Sequence, residues 1–487
     1  MNMIKDCKLE KEYISKFHAL NNANINYSSI YFSYQYKNDI NYLKYFNINF
    51  NQLKRLTIYK YKEEVNYSKY LYKSIISFIN SANNLVYLSL ISFDHRGYRI
   101  KKDSFEFINN FKFLEYLELN QFEFLSTFTF KLRTLKKLVL NFCRNISFEK
   151  DSLLQLKILK LSELESISLV YFMLSRRNIN INIKSLKNLK FFYGYAIDFL
   201  LLDSPLLEVV ALQNEITPNE QKRVIEKFYS LKSLKIIYFE CKINNEIISK
   251  IQCKNNSITE IHTSIYNEKN DHIPLQNIFP NLSDLYIYPH RNLSEPEEKE
   301  PIYEIIENPD CEIKNINMQN YESSFKFYCH YEKLESINFN ITNRKMNFSK
   351  FFPIFSDKCN TIFKSLKFFK LVTFKNIINL NNMLNNIDNM PNLIEFSLYY
   401  STSVNINAEL LKQFIRKILT MKFIKRININ ITKDDPKEKD IQPSIKKYEK
   451  YSKKKLKKIF PDINFDNFYE INICKFKIGV TDAYKIF

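Results

Sequence analysis

Residues that could perform nucleophilic, acid–base or metal chemistry are few in this sequence and lie far apart. The six histidines and eight cysteines form no H-x-x-x-H or C-x-x-C pair. Metal sites and disulfide frameworks need such closely spaced ligands. Cys329 and His330 are adjacent, but neighbouring side chains point apart and do not make a nucleophile–base pair by themselves. The sequence therefore predicts no metal site, no disulfide framework and no catalytic residue.

Glycine is too rare for a cofactor-binding loop. The three glycines are Gly97, Gly194 and Gly479. Loops that bind phosphates or dinucleotides need several glycines within one turn, because the backbone must approach the phosphate closely. We therefore expect a protein without a cofactor and without enzymatic activity.

The composition is that of a folded, strongly basic protein. Hydrophobic residues make up 45% and charged residues 25% of the chain, and the net charge is +20. Abundant Lys, Asn and Ile with no Trp are typical of an AT-rich coding sequence, which accounts for part of that charge. Residues 446–458 contain eight lysines and one glutamate. Such a run fits a nucleic-acid, nuclear-localisation or acidic-lipid patch, or a solvated linker or helix before a final strand at 468–476.

The chain shows no pattern typical of secretion or membrane insertion. Its first residues lack the apolar segment of a signal peptide. The most apolar stretch, residues 197–212, is interrupted by Asp198, Asp203 and Glu208. We therefore expect no membrane span and a cytoplasmic or nuclear location.

An internal repeat is the strongest pattern in the sequence. The motif L-x-x-L-x-L occurs with leucine at all three positions in four copies, which begin at Leu85, Leu114, Leu135 and Leu156. Chance would produce roughly one such triplet or fewer, at the usual leucine frequency of about one residue in ten. The copies are separated by 29, 21 and 21 residues. This regular series predicts a repeat architecture.

Looser copies, with any large apolar residue at the leucine positions, extend the series in both directions. All fourteen gaps between first positions fall between 21 and 32 residues. Two copies follow a Pro-Asn pair, before Leu282 and before Leu393. The first positions are Leu53, Leu85, Leu114, Leu135, Leu156, Leu186, Leu207, Leu231, Ile258, Leu282, Ile313, Leu334, Leu366, Leu393 and Ile424.

Each copy predicts a short strand with alternate side chains buried, followed by a segment that returns the chain to the next parallel strand. Two returns have helical patterns, one capped by Thr217 with Pro218 at its first position and one capped by Asn407. The fold class that follows is an α/β solenoid, or horseshoe. Its parallel sheet lies on the concave face, and helices and irregular segments lie on the convex face. The acidic residues 294–310 are expected to project as a loop.

The repeats resemble those of irregular intracellular leucine-rich-repeat proteins of the ribonuclease-inhibitor type. One copy, from Leu135 to Ile146 with Cys143 between them, is similar to the cysteine-containing repeat of F-box leucine-rich-repeat proteins. That resemblance implies a substrate receptor of a ubiquitin ligase. The chain departs from the pattern, because its first proline is Pro205 and an F-box begins with a Leu-Pro pair.

The predicted domains are a mainly helical N-terminal cap at residues 1–50, a repeat array at 51–432, and a basic linker with a C-terminal cap at 433–487. Ile14, Phe17, Ile40, Leu43 and Phe46 could form the N-terminal helices. Repeat arrays need polar-faced ends of this kind. A degenerate adaptor-binding domain at 1–50 is the alternative.

The concave face should present the third, fifth and seventh residue of each copy. Exposed Tyr and Arg are typical of interface hot spots, and a lysine stripe favours an acidic partner surface. Six asparagines would lie beside them, namely Asn315, Asn317, Asn338, Asn340, Asn428 and Asn430. The whole chain is rich in Lys, Asn and Tyr, so any solvent-exposed surface of it would have a similar composition. The predicted partner-binding residues are Arg55, Tyr59, Tyr87, Tyr116, Glu118, Lys137, Lys160, Lys190, Lys235, Tyr286, Tyr288 and Tyr399.

The function that follows is a monomeric, non-enzymatic scaffold that binds another protein on this face. Two alternatives remain open. One is the substrate-recognition subunit of an F-box-type ubiquitin ligase, and the other is a nucleic-acid-binding protein that uses the lysine stripe and residues 446–458.

Overall fold

The structure is a computed structural model that falls into two compact units, Met1–Gln213 (unit 1) and Asn214–Phe487 (unit 2). Each unit is built around a parallel sheet. The residues that the structure describes are 7–9, 29–34, 50–60, 77, 79–91, 98–101, 103, 105–120, 122–141, 143–149, 151–162, 179–180, 186–213, 218–242, 255–266, 279–287, 303–319, 325–341, 353–356, 359–374, 380–402, 408–433, 452–468 and 470–473.

The main sheet of unit 1 is parallel throughout and follows the order β1, β2, β3, β4, β6, β8, β10, β12, β13. Each of its strands lies beside the strand of the next repeat along the chain. The strands of the unit are β1 (Cys7–Leu9), β2 (Ser29–Tyr34), β3 (Arg55–Lys60), β4 (Tyr87–Ile91), β5 (Tyr98–Ile100), β6 (Tyr116–Asn120), β7 (Phe122–Phe130), β8 (Lys137–Asn141), β9 (Arg144–Phe148), β10 (Ile158–Ser162), β11 (Ile179–Asn180), β12 (Phe191–Tyr195) and β13 (Val209–Gln213).

The leucines of the repeat form the core beneath this sheet. Leu88, Leu117, Leu138 and Leu159 are register partners on successive strands and are fully buried. Burying each such side chain contributes about 1.5–3 kcal/mol before conformational entropy is counted. The first leucine of each strict copy is also fully buried, just before its strand. The structure therefore confirms the α/β leucine-rich-repeat solenoid fold.

Unit 1 also contains a second, smaller parallel sheet, in the order β11, β9, β7, β5. The sequence predicted helices and irregular segments on this side, whereas these return segments are strands. The residues of β7 explain the difference, because Phe124, Phe128 and Phe130 are buried on one side of the strand at mainly two-residue spacing. They pack with Phe105, whose ring centroid lies 5.3 Å from that of Phe124 and 5.7 Å from that of Phe128. One short helix, α1 (Ala196–Leu201), follows β12.

The main sheet of unit 2 is also parallel, with β14, β15, β16, β18, β20, β21, β22, β23 and β24 side by side in chain order. A separate pair is formed by β17 and β19. The strands are β14 (Ile236–Lys242), β15 (Glu260–Tyr266), β16 (Asp284–Ile287), β17 (Tyr303–Glu307), β18 (Asn315–Gln319), β19 (Phe325–Cys329), β20 (Ser336–Ile341), β21 (Phe368–Phe374), β22 (Glu395–Thr402), β23 (Arg426–Lys433) and β24 (Glu470–Ile473).

Helices supply several of the return segments in unit 2. Both helices predicted from the sequence are present, as α2 (Pro218–Ser230) and α4 (Ala408–Leu419), while the caps predicted at Thr217 and Asn407 lie outside the described residues. The apolar face of α4, including Phe414 and Ile418, is fully buried. The other helices are α3 (Leu380–Asn386) and α5 (Lys453–Ile459).

At the N-terminal end, the sheet continues into the region predicted as a helical cap. The described parts of residues 1–49 are β1 and β2, and β2 pairs with β3. The residues proposed for N-terminal helices lie outside the described residues. At the other end, the second half of the lysine run forms α5, and β24 lies within the final strand predicted at 468–476.

The structure corrects the prediction of a loop at residues 294–310, since β17 lies within this stretch and pairs with β19. The sequence Y-E-I-I-E has an apolar, β-branched centre that suits a strand. Among the described helices, none is long and apolar enough to cross a membrane.

Candidate partner-binding faces

Each main sheet has an open face, formed by the third, fifth and seventh residue of each repeat. The fourth and sixth residues point into the core on the other side. In unit 1, the third positions include Arg55, Tyr87, Tyr116 and Lys137, which are consecutive register partners across β3, β4, β6 and β8. All four belong to the predicted set of partner-binding residues, and the strand register brings them together on this face.

These four side chains, here called the Tyr87 row, form a continuous stack. The rings of Tyr87 and Tyr116 lie 4.0 Å apart and 5° from parallel. The guanidinium carbon of Arg55 lies 5.1 Å from the centroid of Tyr87, and the Lys137 ammonium lies 4.7 Å from that of Tyr116. Parallel strands are spaced by about 4.8 Å, which suits ring stacking between equivalent residues. Two tyrosines are thus held between two cations.

Glu118 anchors this row from the neighbouring fifth position. Its Oε2 accepts hydrogen bonds from the Ser89 hydroxyl at 2.7 Å and the Tyr116 hydroxyl at 2.9 Å. Burial, followed by the interactions with Tyr87 and Glu118, raises the pKa of Tyr116 well above its ordinary value. Tyr116 therefore stays a neutral hydrogen-bond donor at physiological pH.

The basic character of the face is centred on Lys137 and Lys160. Burial and the charge of Lys160 lower the pKa of Lys137, while Glu118 opposes the shift. Lys160 occupies the fifth position of its repeat and lies 5.2 Å from the Phe191 ring centroid. Tyr59, at the seventh position of β3, stacks with Tyr31 at 6.4 Å.

The structure corrects the positions of the other two lysines of the predicted stripe. Lys190 and Lys235 precede β12 and β14 and lie at the second position of their repeats. Their backbone carbonyls each accept two hydrogen bonds from the next repeat, as Lys136 and Lys157 do. Both side chains are exposed, and Lys190 forms an ion pair with Glu208 at 2.7 Å. The four lysines therefore do not form one stripe on an open face.

The error arises from a degenerate apolar pattern. The sequence pattern predicts Leu186 and Leu231 as first positions, but Leu189 and Leu234 occupy them, and all four are buried. The residue three places before the first leucine is also apolar and buried in other repeats, as at Ala82. A further sequence pattern, which the prediction did not use, identifies the register at Leu189.

That pattern is an asparagine directly before the first leucine. Its side-chain amide donates to a carbonyl of the preceding repeat, as in Asn188 to Leu154 O at 2.9 Å and Asn392 to Lys364 O at 2.7 Å. Asn84 and Asn281 make the same bond, to Asn51 O and Asn256 O. The Asn-Leu pair at 188–189 therefore marks the true repeat start.

Unit 2 presents a different cluster on its open face, here called the His262 site. The residues at the fifth repeat positions, on β14, β15 and β16, are Tyr238, His262 and Tyr286. The His262 ring is stacked between the two tyrosine rings, with centroid distances of 4.0 Å and 4.1 Å. The sequence prediction included Tyr286 but missed Tyr238 and His262. Counting fifth positions from Ile258 would have found His262, whereas Tyr238 is a fifth position only in the corrected register that begins at Leu234.

Two carboxylates complete the His262 site from the third positions. Glu260 and Asp284 are register partners on β15 and β16. Glu260 Oε1 lies 2.5 Å from His262 Nε2, and Asp284 accepts hydrogen bonds from Asn315 Nδ2 at 2.6 Å and from the Ser283 hydroxyl. Burial lowers the pKa of His262 despite the opposing effect of both carboxylates. The site is thus rich in acceptors, with a neutral imidazole.

Burial also raises the pKa of Tyr238 and of Tyr286, and the neighbouring carboxylates add to both shifts. Both phenols therefore stay protonated at neutral pH.

Asparagines continue the open face beyond this site. Asn317 and Asn338 are register partners on β18 and β20, and Asn428 donates to Ser397 Oγ at 3.3 Å. The Oδ1 atoms of Asn317, Asn338 and Asn430 are buried without a hydrogen-bond partner among the described residues. Tyr399 lies half-buried at the seventh position of β22, and Tyr288 lies outside the described residues.

Cys143 performs a packing role. Its buried thiol lies 3.3 Å from the Leu119 carbonyl oxygen and 3.4 Å from that of Asn141, which closes the turn after β8. Asn145 follows with a φ of 58°, a left-handed conformation that asparagine tolerates, and donates to Phe124 O. Among the described residues, no group of His, Cys, Asp or Glu is arranged to hold a metal ion.

Comparison with known proteins gives short or distant similarities. No protein-family model matches the chain. The serine/threonine-protein phosphatase UIS2 of Plasmodium berghei (strain Anka) is 29% identical over 146 residues. The match covers 28% of this chain and 11% of the phosphatase, so the similarity is limited to a small part of each protein.

Two solved leucine-rich-repeat structures align with most of the chain at low similarity. The TLR13–ssRNA13 complex is 14% identical, with a TM-score of 0.38, and the alignment covers 83% of this chain and 61% of that one. The ectodomain of the plant receptor kinase GASSHO1/SCHENGEN3 from Arabidopsis thaliana, in complex with CASPARIAN STRIP INTEGRITY FACTOR 2, is 11% identical. Its TM-score is 0.29, with 85% and 51% covered. The fold assignment rests on the strand register, since both scores are low.

Proposed function

We propose that this chain is a non-enzymatic scaffold that binds a partner protein through the open face of unit 1. The observation that supports the proposal is the Tyr87 row, in which Arg55 and Lys137 enclose two stacked tyrosines. Tyrosine and arginine are the residue types enriched at binding hot spots. Neighbouring strands hold the rings in place, so little side-chain entropy remains to be lost on binding.

The charge of this face favours an acidic partner surface. Burial, followed by repulsion from Lys160, lowers the pKa of Lys137. A carboxylate-bearing partner would relieve that repulsion and accelerate association. The partner proposed here is therefore a protein with an acidic patch that contacts Tyr87 and Tyr116.

The experiment is affinity capture with quantitative mass spectrometry, using two double variants of equal charge change. The first double variant, Lys137→Glu with Lys160→Glu, reverses the charge of two lysines on the open face of unit 1. The second, Lys157→Glu with Lys235→Glu, makes the same charge change at two exposed lysines in second positions, which lie off the open faces. We expect the face variant to lose partners that wild type and the second-position variant retain. Circular dichroism melting controls for folding.

Equal partner sets in all three proteins would refute a role for this face. Equal loss from both double variants would indicate attraction by net charge alone, which also contradicts the proposal.

Nucleic-acid binding is the second candidate, and α5 is the observation that favours it. Its five lysines, 453–455, 457 and 458, are all exposed, and its Ser452 N-cap accepts a hydrogen bond from the Lys455 amide. Phosphate contacts by such lysines give affinity that falls steeply with salt. Filter binding of a labelled oligonucleotide at rising salt tests this candidate, and absent or salt-independent binding removes it.

The ubiquitin-ligase alternative rests on the resemblance of the Cys143 repeat. It predicts capture of a cullin adaptor that depends on residues 1–50. Clean absence of such an adaptor from the captured proteins would remove this alternative.

A further inference from the structure

The His262 site of unit 2 contains two carboxylates, Glu260 and Asp284, on neighbouring strands. Among the described residues, neither Glu260 nor Asp284 forms an ion pair with a lysine or arginine, although the chain contains 72 Lys and Arg residues. Elsewhere in unit 2, Glu395 on β22 lies 3.4 Å from Arg426 on β23, and Glu335, just before β20, lies 2.8 Å from Lys367. Within the described part of unit 2, the open face thus holds two neighbouring negative charges that no lysine or arginine pairs with.

Hydrogen bonds hold both carboxylates in place. Glu260 interacts with His262, and Asp284 accepts from Asn315 and Ser283. A carboxylate offers about four lone-pair sites, so each group retains acceptors for a ligand. The partners also reduce the freedom that the carboxylates would lose on binding.

The aromatic stack adds an apolar surface beside this charge. Both faces of the His262 ring are covered, which leaves only 8% of the residue exposed, whereas Tyr238 and Tyr286 are half-buried. The exposed parts of these tyrosines can pack against an aliphatic chain. Arginine and lysine combine such a chain with a terminal cation.

We propose that Glu260, Asp284 and the two tyrosines bind the cationic side chain of an arginine-containing segment in a partner protein. The aliphatic part of the arginine packs against Tyr238 and Tyr286, and its guanidinium donates to the two carboxylates. Arginine suits this site better than lysine, because its planar group donates to two acceptors at once. This inference uses other residues and the opposite charge from the unit 1 proposal, so either can fail independently.

The test is fluorescence anisotropy with the full chain and a labelled eight-residue peptide of alternating arginine and glycine. The matched probe replaces each arginine with citrulline, which keeps the shape and removes the charge. We expect wild type to bind the arginine peptide more tightly, against the general repulsion from a chain of net charge +20. The isosteric double variant Glu260→Gln with Asp284→Asn should bind roughly tenfold more weakly, since each partly exposed pair contributes a few-fold.

Two further variants separate this site from general charge effects. Asp310→Asn removes one exposed carboxylate of unit 2 away from the open face and should leave affinity unchanged. Asn315→Lys places a tethered ammonium beside Asp284 and should weaken binding several-fold. Equal affinity for both peptides, unchanged binding by the double variant, or an Asp310→Asn effect as large as that of the double variant would overturn the proposal.

Discussion

The open faces of units 1 and 2 stack aromatic side chains in the same way but surround them with opposite charge. Tyr87 and Tyr116 lie 4.0 Å apart between Arg55 and Lys137. In unit 2, three rings stack at similar distances beside two carboxylates. Strand spacing therefore sets the ring geometry in both units. The residues around the rings set the charge, and with it the kind of partner that each face suits.

The segments that return the chain between strands differ as well. Unit 1 uses a second sheet with a phenylalanine core, whereas unit 2 uses helices such as α2 and α4. Repeats only 21 residues apart, as from Leu114 to Leu135 and on to Leu156, leave little room for a helix longer than the six residues of α1 beyond the strand and turns. Longer repeats in unit 2 accommodate 12- and 13-residue helices.

The largest expected effect comes from truncating the core beneath each type of return segment. Phe128→Ala in β7 and Phe414→Ala in α4 each remove a fully buried ring. Each change should lower the free energy of unfolding by about 3–5 kcal/mol. Repeats contact mainly their neighbours, so hydrogen-exchange protection should fall chiefly in the unit that carries the substitution.

Mass-spectrometric hydrogen exchange with urea titration checks this prediction. Phe113→Ala, at a ring that is 55% exposed, is the control and should change stability by less than about 0.5 kcal/mol. Equal loss of protection in both units after either core substitution would contradict the prediction, because it would mean that the two units unfold together.

A smaller effect is expected from the hydroxyl groups of the stacked tyrosines. Tyr116→Phe removes the 2.9 Å hydrogen bond to Glu118 and should lower stability by about 1 kcal/mol. Tyr286→Phe removes a hydroxyl with no hydrogen bond to any described residue, so its effect should stay below about 0.5 kcal/mol. Urea unfolding of both variants gives the comparison. A larger loss of stability for Tyr286→Phe than for Tyr116→Phe would mean that a tyrosine hydroxyl anchors the unit 2 stack more strongly than the unit 1 stack.

The sequence predicted the parts of the fold that depend on one short pattern. The four strict repeats and the helices α2 and α4 combine a clear apolar period with turn residues, and all are present. The register at Leu189 and Leu234 was wrong because two buried leucines three residues apart satisfy the same pattern. At Leu189, backbone hydrogen bonds between successive repeats set the register. They join Lys190 to Lys157 and Glu208 to Lys190.

The candidate faces were only partly predictable for a related reason. Tyr87 and Tyr116 were found because both lie in strict repeats with a known register. The His262 site joins residues 24 positions apart in sequence, and its stacking depends on lateral strand pairing. The carboxylates and the imidazole gain their roles from that pairing, and no local motif reports it.

The smallest predicted effect is a pH dependence that belongs to the unit 2 stack. Burial lowers the pKa of His262 in the folded chain, whereas the unfolded chain has the ordinary value of about 6.5. The unfolded state therefore binds a proton first, so stability is greatest above about pH 6.5 and declines as the pH falls toward the folded pKa. Thermal melting of wild type and His262→Gln between about pH 8 and about pH 5.5 should show a shallower decline in the variant. Equal slopes for wild type and His262→Gln would mean that Glu260 and Asp284 cancel the effect of burial on the His262 pKa. The negative charge of the two carboxylates would then be as strong an influence on the ring as its burial.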